Sequence, residues 1–125
     1  DTQISDFTLK ELGADWNLNS PPFSVVSNGI ASDGTSTADA NQSLFPTIGK
    51  SYKIVYTIAS ISSGGYKIGF GGVISSFDTT SGTYTKYVTA IDDSGYNARL
   101  RITPDNTTVG TISSISVQEV EHRRR

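Results

Sequence analysis

Apolar residues recur at every second position along much of this chain, the period of strands with one buried face. The segment Ser51 to Ser60 shows it most clearly. Tyr52, Ile54, Tyr56 and Ile58 share one face, and Lys53, Val55, Thr57 and Ala59 share the other. The second face is half apolar, which places this strand inside a sheet. Ser62-Ser63-Gly64-Gly65 then reads as a turn, and Tyr66, Ile68 and Phe70 resume the alternation, so the pattern predicts a hairpin. A second, shorter hairpin is predicted from Phe23 to Val26 through Ser27-Asn28-Gly29 into Ile30 and Ala31. There Asn-Gly would supply the positive φ values of a type I′ turn.

The remaining pieces follow the same rule. Phe7 with Leu9 and Trp16 with Leu18 are short alternations, Ser32 to Asp39 reads as a loop, and Gln42 to Phe45 as a strand stopped by Pro46. Thr83 to Ile91 is a further strand, bracketed by Ser81-Gly82 and by the turn Asp92-Asp93-Ser94-Gly95. Ala98, Leu100 and Ile102 face one way while Asn97, Arg99, Arg101 and Thr103 face the other, until Pro104-Asp105-Asn106 breaks the run. Ile112, Ile115 and Val117 close the domain, and the step of three between the first two predicts a β-bulge. Lys86 shares parity with Tyr84, Val88 and Ala90, which requires either a sheet edge or a shifted register. No helical stripe exceeds a turn or two. Seven to ten short strands predict an all-β sandwich or barrel.

Composition narrows the function more than the fold. The chain has 125 residues and no cysteine, which excludes disulfides, thiolate metal sites and cysteine nucleophiles. Serine and threonine make up about a quarter of it, a usage suited to half-exposed strands and tight turns. Setting aside Arg123, Arg124 and Arg125 leaves seven basic and twelve acidic residues, a net charge of −5. Such a body repels phosphates, so no nucleic-acid partner is expected. No apolar run reaches membrane-spanning length, so no membrane partner is expected either.

Leu44-Phe45-Pro46, then Ile48-Gly49-Lys50-Ser51-Tyr52-Lys53-Ile54-Val55-Tyr56-Thr57, form the start of a recognisable succession. Tyr66 to Gly72, Ser81-Gly82-Thr83-Tyr84-Thr85, and Gly110-Thr111-Ile112 with Ile115-Ser116-Val117 continue it. The order resembles the carbohydrate-binding-module-like jelly-roll domains of bacteriophage structural proteins (head-decoration and tail-fibre proteins) and of modules appended to glycoside hydrolases. The match spans Trp16 to Val120. It implies a two-sheet antiparallel jelly-roll β-sandwich over residues 1–120, followed by a short charged tail, 121–125. Some such domains hold a structural calcium through an aspartate just after the Gly-Thr-Ile step. Serine, a poor ligand for a hard cation, stands there as Ser113, which puts the structural calcium in doubt, and no other cofactor is expected. Lys86 stands where the resemblance implies an aromatic residue.

Few residues offer chemistry. His122, the only histidine, falls in the charged run Glu119 to Arg125 beyond the last predicted strand, and reads as a solvated terminal residue. The standard nucleophile–base triads therefore lack their parts, and no catalytic residue is expected. Asp92-Asp93 reads as turn chemistry; a calcium role would have to recruit Asp33, Asp39, Asp78 or Asp105. Asn41-Gln42-Ser43 and Asn106-Thr107-Thr108 match the glycosylation pattern, a chance outcome in so hydroxyl-rich a chain. Trp16, Tyr52 and Tyr56 read as core, leaving Tyr87 and Tyr96 as the rings on which a sugar could stack. Arg123, Arg124 and Arg125 read as a segment that docks on an acidic partner, such as an identical subunit. These readings lead to a non-catalytic structural or adhesive module of a virion, a capsid decoration or fibre protein. It would be homo-oligomeric or seated on a capsid or tail scaffold, with loops free to touch a surface glycan. The alternative is a carbohydrate-binding module of a secreted polysaccharide-degrading enzyme.

Overall fold

A computed structural model describes residues 2–6, 16–19 and 22–122. Alternation becomes eleven strands among these residues: β1 (Thr2–Asp6), β2 (Asn17–Leu18), β3 (Phe23–Val26), β4 (Gly29–Asp33), β5 (Ala40–Gln42), β6 (Ser51–Ser63), β7 (Tyr66–Phe70), β8 (Val73–Ile74), β9 (Gly82–Thr89), β10 (Leu100–Pro104) and β11 (Val109–His122). They form two antiparallel sheets. One runs β3-β4-β11-β6-β9 with β1 also on β11; the other runs β2-β5-β10-β7-β8. From β4 onward the chain passes back and forth between the sheets, and the result is a jelly-roll sandwich. The inward positions of both sheets make the core, where Phe23, Ile30, Tyr52, Ile54, Tyr56, Tyr66, Phe70, Leu100, Ile102 and Ile112 are all buried. Each such side chain contributes about 1.5–3 kcal/mol relative to exposure. Trp16, Tyr52 and Tyr56 belong to this core, as the sequence indicates.

The segment Ser51 to Phe70 is not a hairpin. β6 lies between β11 and β9 in one sheet, while β7 pairs with β10 and β8 in the other. Gly64 and Gly65 therefore form a corner that carries the chain across the sandwich, so that the apolar faces of β6 and β7 meet instead of lying side by side. Tyr52 and Phe70 make an edge-to-face contact across it, with ring centroids 5.2 Å apart. Thr108 ties the corner down. Its buried hydroxyl accepts from the backbone N–H of Gly65 (3.1 Å) and of Asp105 (2.9 Å). It has one proton to give, to the Gly65 carbonyl or to Asp105 Oδ1, each 2.8 Å away.

The hairpin β3–β4 forms with a different turn. Val26 pairs with Gly29, the loop is Ser27-Asn28, and no residue other than glycine has positive φ among the described residues. Gly29, at φ +144°, is needed for another reason: a Cβ there would stand 1.9 Å from the Ile112 carbonyl oxygen of β11. Elsewhere β4 takes in Ser32 and Asp33, and β5 starts at Ala40, two residues before the predicted strand. The bulge expected between Ile112 and Ile115 is present, as a register shift against β6 between Ile112 and Ser114. Lys86 is explained by the edge: β9 is the last strand of its sheet and pairs with β6 without a shift. Its ammonium lies 2.8 Å from Asp78 Oδ2, which also accepts a hydrogen bond from the Tyr56 hydroxyl at 2.6 Å.

The last strand does not stop before Glu119. β11 runs on to His122, because β1 adds to its far half with Thr2 opposite His122 and Asp6 opposite Gln118. His122 thus stands in a paired strand, not in a tail. Phe7 and Leu9, and Arg123, Arg124 and Arg125, expected from the sequence to dock on a partner, lie outside the described residues.

Candidate functional site

The outer face of the five-stranded sheet carries a hydrogen-bonded group of aromatic, amide and charged side chains. It follows from strand parity. Leu100 and Ile102 point into the core, so Arg101 between them points out. Register extends this to a row: Asn17 is opposite Asn41, Asn41 opposite Arg101, Arg101 opposite Gly69, and Gly69 opposite Ile74. Arg99 and Asp39 lie two residues before Arg101 and Asn41, on the same face. Lys67, two before Gly69, pairs there with Thr103.

Hydrogen bonds make a connected set of these side chains. Asn41 Oδ1 accepts from Asn17 Nδ2 (3.3 Å) and from Arg99 Nη1 (3.2 Å), and Asn41 Nδ2 donates to Asp39 Oδ1 (3.1 Å). Asn19 Nδ2 donates to the Asp39 carbonyl at 2.7 Å. The other oxygen of Asp39 accepts from the Tyr96 hydroxyl. Tyr96 opens a single 3₁₀ turn, Tyr96–Ala98, after Gly95 at φ +81°, and this turn lays its ring over the guanidinium groups. The ring centre is 5.2 Å from Arg101 Cζ and 5.8 Å from Arg99 Cζ, while 49% of the residue stays exposed. Burial, then the hydrogen bond to and charge of Asp39, push the Tyr96 pKa up to about 12, against a smaller downward pull from Arg101 and Arg99. The phenol is therefore a neutral donor at any physiological pH.

Arg101 is 8% exposed. Gly69 makes room for it, since a Cβ there would sit 3.0 Å from Nη2 and 3.3 Å from Cζ. Its Nη1 lies 4.0 Å from Asp39 Oδ2, while Nε and Nη2 are buried with no hydrogen-bond partner. Beyond Thr103, Lys67 reaches 5.0 Å from the ring centre of Phe77, itself 40% exposed. The arrangement can hold a polar, planar-faced ligand. As a proton-transfer site it is poor, with one carboxylate whose two oxygens each already accept a hydrogen bond, and a phenol that keeps its proton.

Of the two rings singled out in the sequence, Tyr96 stands at this face and Tyr87 does not. Tyr87 is on β9, opposite Lys53, on the outer face of the other sheet, 68% exposed. The two rings share no platform. The carboxylates considered for calcium are dispersed: Asp33 and Asp92 accept from Thr35 and Ser94 in turns, Asp78 pairs with Lys86, and Asp105 sits at the corner. Among the described residues no three His, Cys, Asp or Glu side chains gather. Asn41, in the glycosylation pattern, is 5% exposed and bonded within the network. Sequence reasoning placed Arg99 and Arg101 on the polar side of a strand but not in a site. The signal for one was two arginines alternating with core residues on the strand that follows Gly95-Tyr96. On the six-stranded sheet, Ser60, Ser62, Val109 and Thr111 border a depression of about 280 Å³ around Gly110, which has neither a ring nor a charge in its lining.

No protein-family model and no curated protein matches the chain. Among solved structures, the apo form of BiXyn10A CBM1 is similar over 97% of this chain and 92% of its own, at 16% identity and a TM-score of 0.44.

Proposed function

We propose that this chain is a non-catalytic carbohydrate-binding module that takes a sugar on the outer face of its five-stranded sheet, at Tyr96. One observation carries the reading: a half-exposed ring, pinned through its hydroxyl to Asp39, stands beside a row of amide and guanidinium groups. A sugar presents a C–H face that packs on a ring and a rim of hydroxyls that bond to planar polar side chains. Hydrogen bonds among Asn17, Asn41 and Arg99 hold those side chains in place before any ligand arrives, which lowers the ordering cost of binding.

Retention in native gels cast with soluble polysaccharides tests the reading. The wild-type protein is expected to be retarded by at least one glycan. Tyr96→Ala is expected to weaken that retardation about tenfold, the worth of one well-packed ring, and Tyr87→Ala to leave it unchanged. Loss on Tyr87→Ala instead, or no retardation across neutral and acidic polysaccharides, would overturn it.

A further inference from the structure

The same face points to the charge of the sugar. We infer that the ligand is an acidic glycan, a polymer of uronic acid residues, whose carboxylate pairs with Arg101; this rests on the carbohydrate reading above.

Three observations carry it. First, the face is positive on a negative protein. Among the described residues, Lys67, Arg99 and Arg101 stand there with Asp39 as the acidic member of their network, whereas the chain as a whole carries a net charge of −2. Second, Arg101 is nine-tenths buried yet under-used. Asp39 reaches it only at 4.0 Å, through Nη1, and both Asp39 oxygens already accept shorter hydrogen bonds from Asn41 and Tyr96. A buried cation with open donors is costly, and a fold retains it where something else completes it. Third, the open donors are the right pair. Nε and Nη2 form the side edge of the guanidinium, two parallel N–H groups spaced to grip the two oxygens of one carboxylate. Sugar hydroxyls have no need of a charged fork; a uronate does.

The Tyr96 ring lies against this guanidinium, so the ligand reaches the Nε–Nη2 edge by displacing it. The ring rides on a three-residue turn after Gly95, around which a Cβ would meet nothing within 4 Å. Displacement breaks the Tyr96–Asp39 bond and leaves the phenol free to cover the bound sugar.

Titration calorimetry of the full chain against polygalacturonate and alginate, each beside its own carboxyl-reduced neutral form, separates the outcomes. The acidic polymers are expected to bind about ten- to a hundredfold more tightly than their reduced forms, the range for a charge-assisted pair. Arg101→Lys keeps the charge, removes the fork and is expected to abolish most of that preference while the protein melts as a folded domain. Equal affinity for acidic and neutral forms overturns this inference and leaves the carbohydrate reading standing. Unchanged preference in Arg101→Lys overturns the assignment to Arg101, and failure to bind any glycan, neutral ones included, overturns both.

Discussion

Replacing Thr108 with valine should cost far more than its small size suggests. The two side chains have the same shape, so the core keeps its packing and only the hydroxyl is lost. In the native corner that hydroxyl is the sole partner of the buried Gly65 N–H, and the nearer of two partners for the Asp105 N–H, which also reaches the Gly65 carbonyl at 3.3 Å. Its proton serves the Gly65 carbonyl or Asp105 Oδ1. An orphaned buried donor costs about 1–3 kcal/mol, and each weakened bond about 1 kcal/mol. The expected loss is about 2–4 kcal/mol, or about 8–15 °C in Tm for a chain of this length. Urea denaturation followed by tryptophan fluorescence measures it, with Thr107→Val as the control. Thr107 is exposed, and its hydroxyl bonds only to Asp105 Oδ1, so its loss should cost under about 1 kcal/mol. If Thr108→Val unfolds within about 0.5 kcal/mol of wild type, the corner does not depend on this hydroxyl.

Gly29→Ala should cost about 3 kcal/mol or more in the same assay, because its Cβ would run into the Ile112 carbonyl and part β4 from β11; wild-type stability would refute that register. Lys86→Met strands the Asp78 carboxylate, which is 14% exposed, and should cost about 1–3 kcal/mol; adding Asp78→Asn should recover part of it, and strict additivity would refute the pairing. Alkali should destabilise the fold. The pKa of Tyr56 is raised by burial and by its bond to Asp78, and that of Tyr66 by burial. Both stay protonated in the fold where the unfolded chain ionises, so their contribution is full below about pH 10 and is lost as pH rises beyond it. Tyr56→Phe should flatten the fall in stability between about pH 9.5 and 11.5, and an unaltered slope would count against Tyr56 as a source.

What the sequence made legible was local. Alternation located β6 and the Leu100–Ile102 face, and the broken step at Ile112 located the bulge, because parity and bulges are properties of a single strand. The Gly64-Gly65 corner escaped because a turn sequence states that the chain reverses, not whether it returns in the same sheet. That choice is made by Thr108 and Asp105, 40 or more residues away. The run-on of β11 to His122 escaped because its partner is the other end of the chain. Tyr96 was found as an exposed ring. Its setting was not, since Asn17, the pair Asp39 and Asn41, and Arg101 come from three separate segments that only the strand order brings into one row. Gly69 carried a faint signal, a glycine inside an apolar strand, of the close approach made there by Arg101.

Nuclear magnetic resonance titration of the isotopically labelled protein with a retained glycan tests the central claim most directly. Binding at the proposed face should shift the resonances of Tyr96, Arg99, Arg101, Asn41 and Asn17 together, leaving Tyr87 and the depression at Gly110 still. Shifts gathered at Tyr87 or at Gly110, with Tyr96 and Arg101 unmoved, would contradict it.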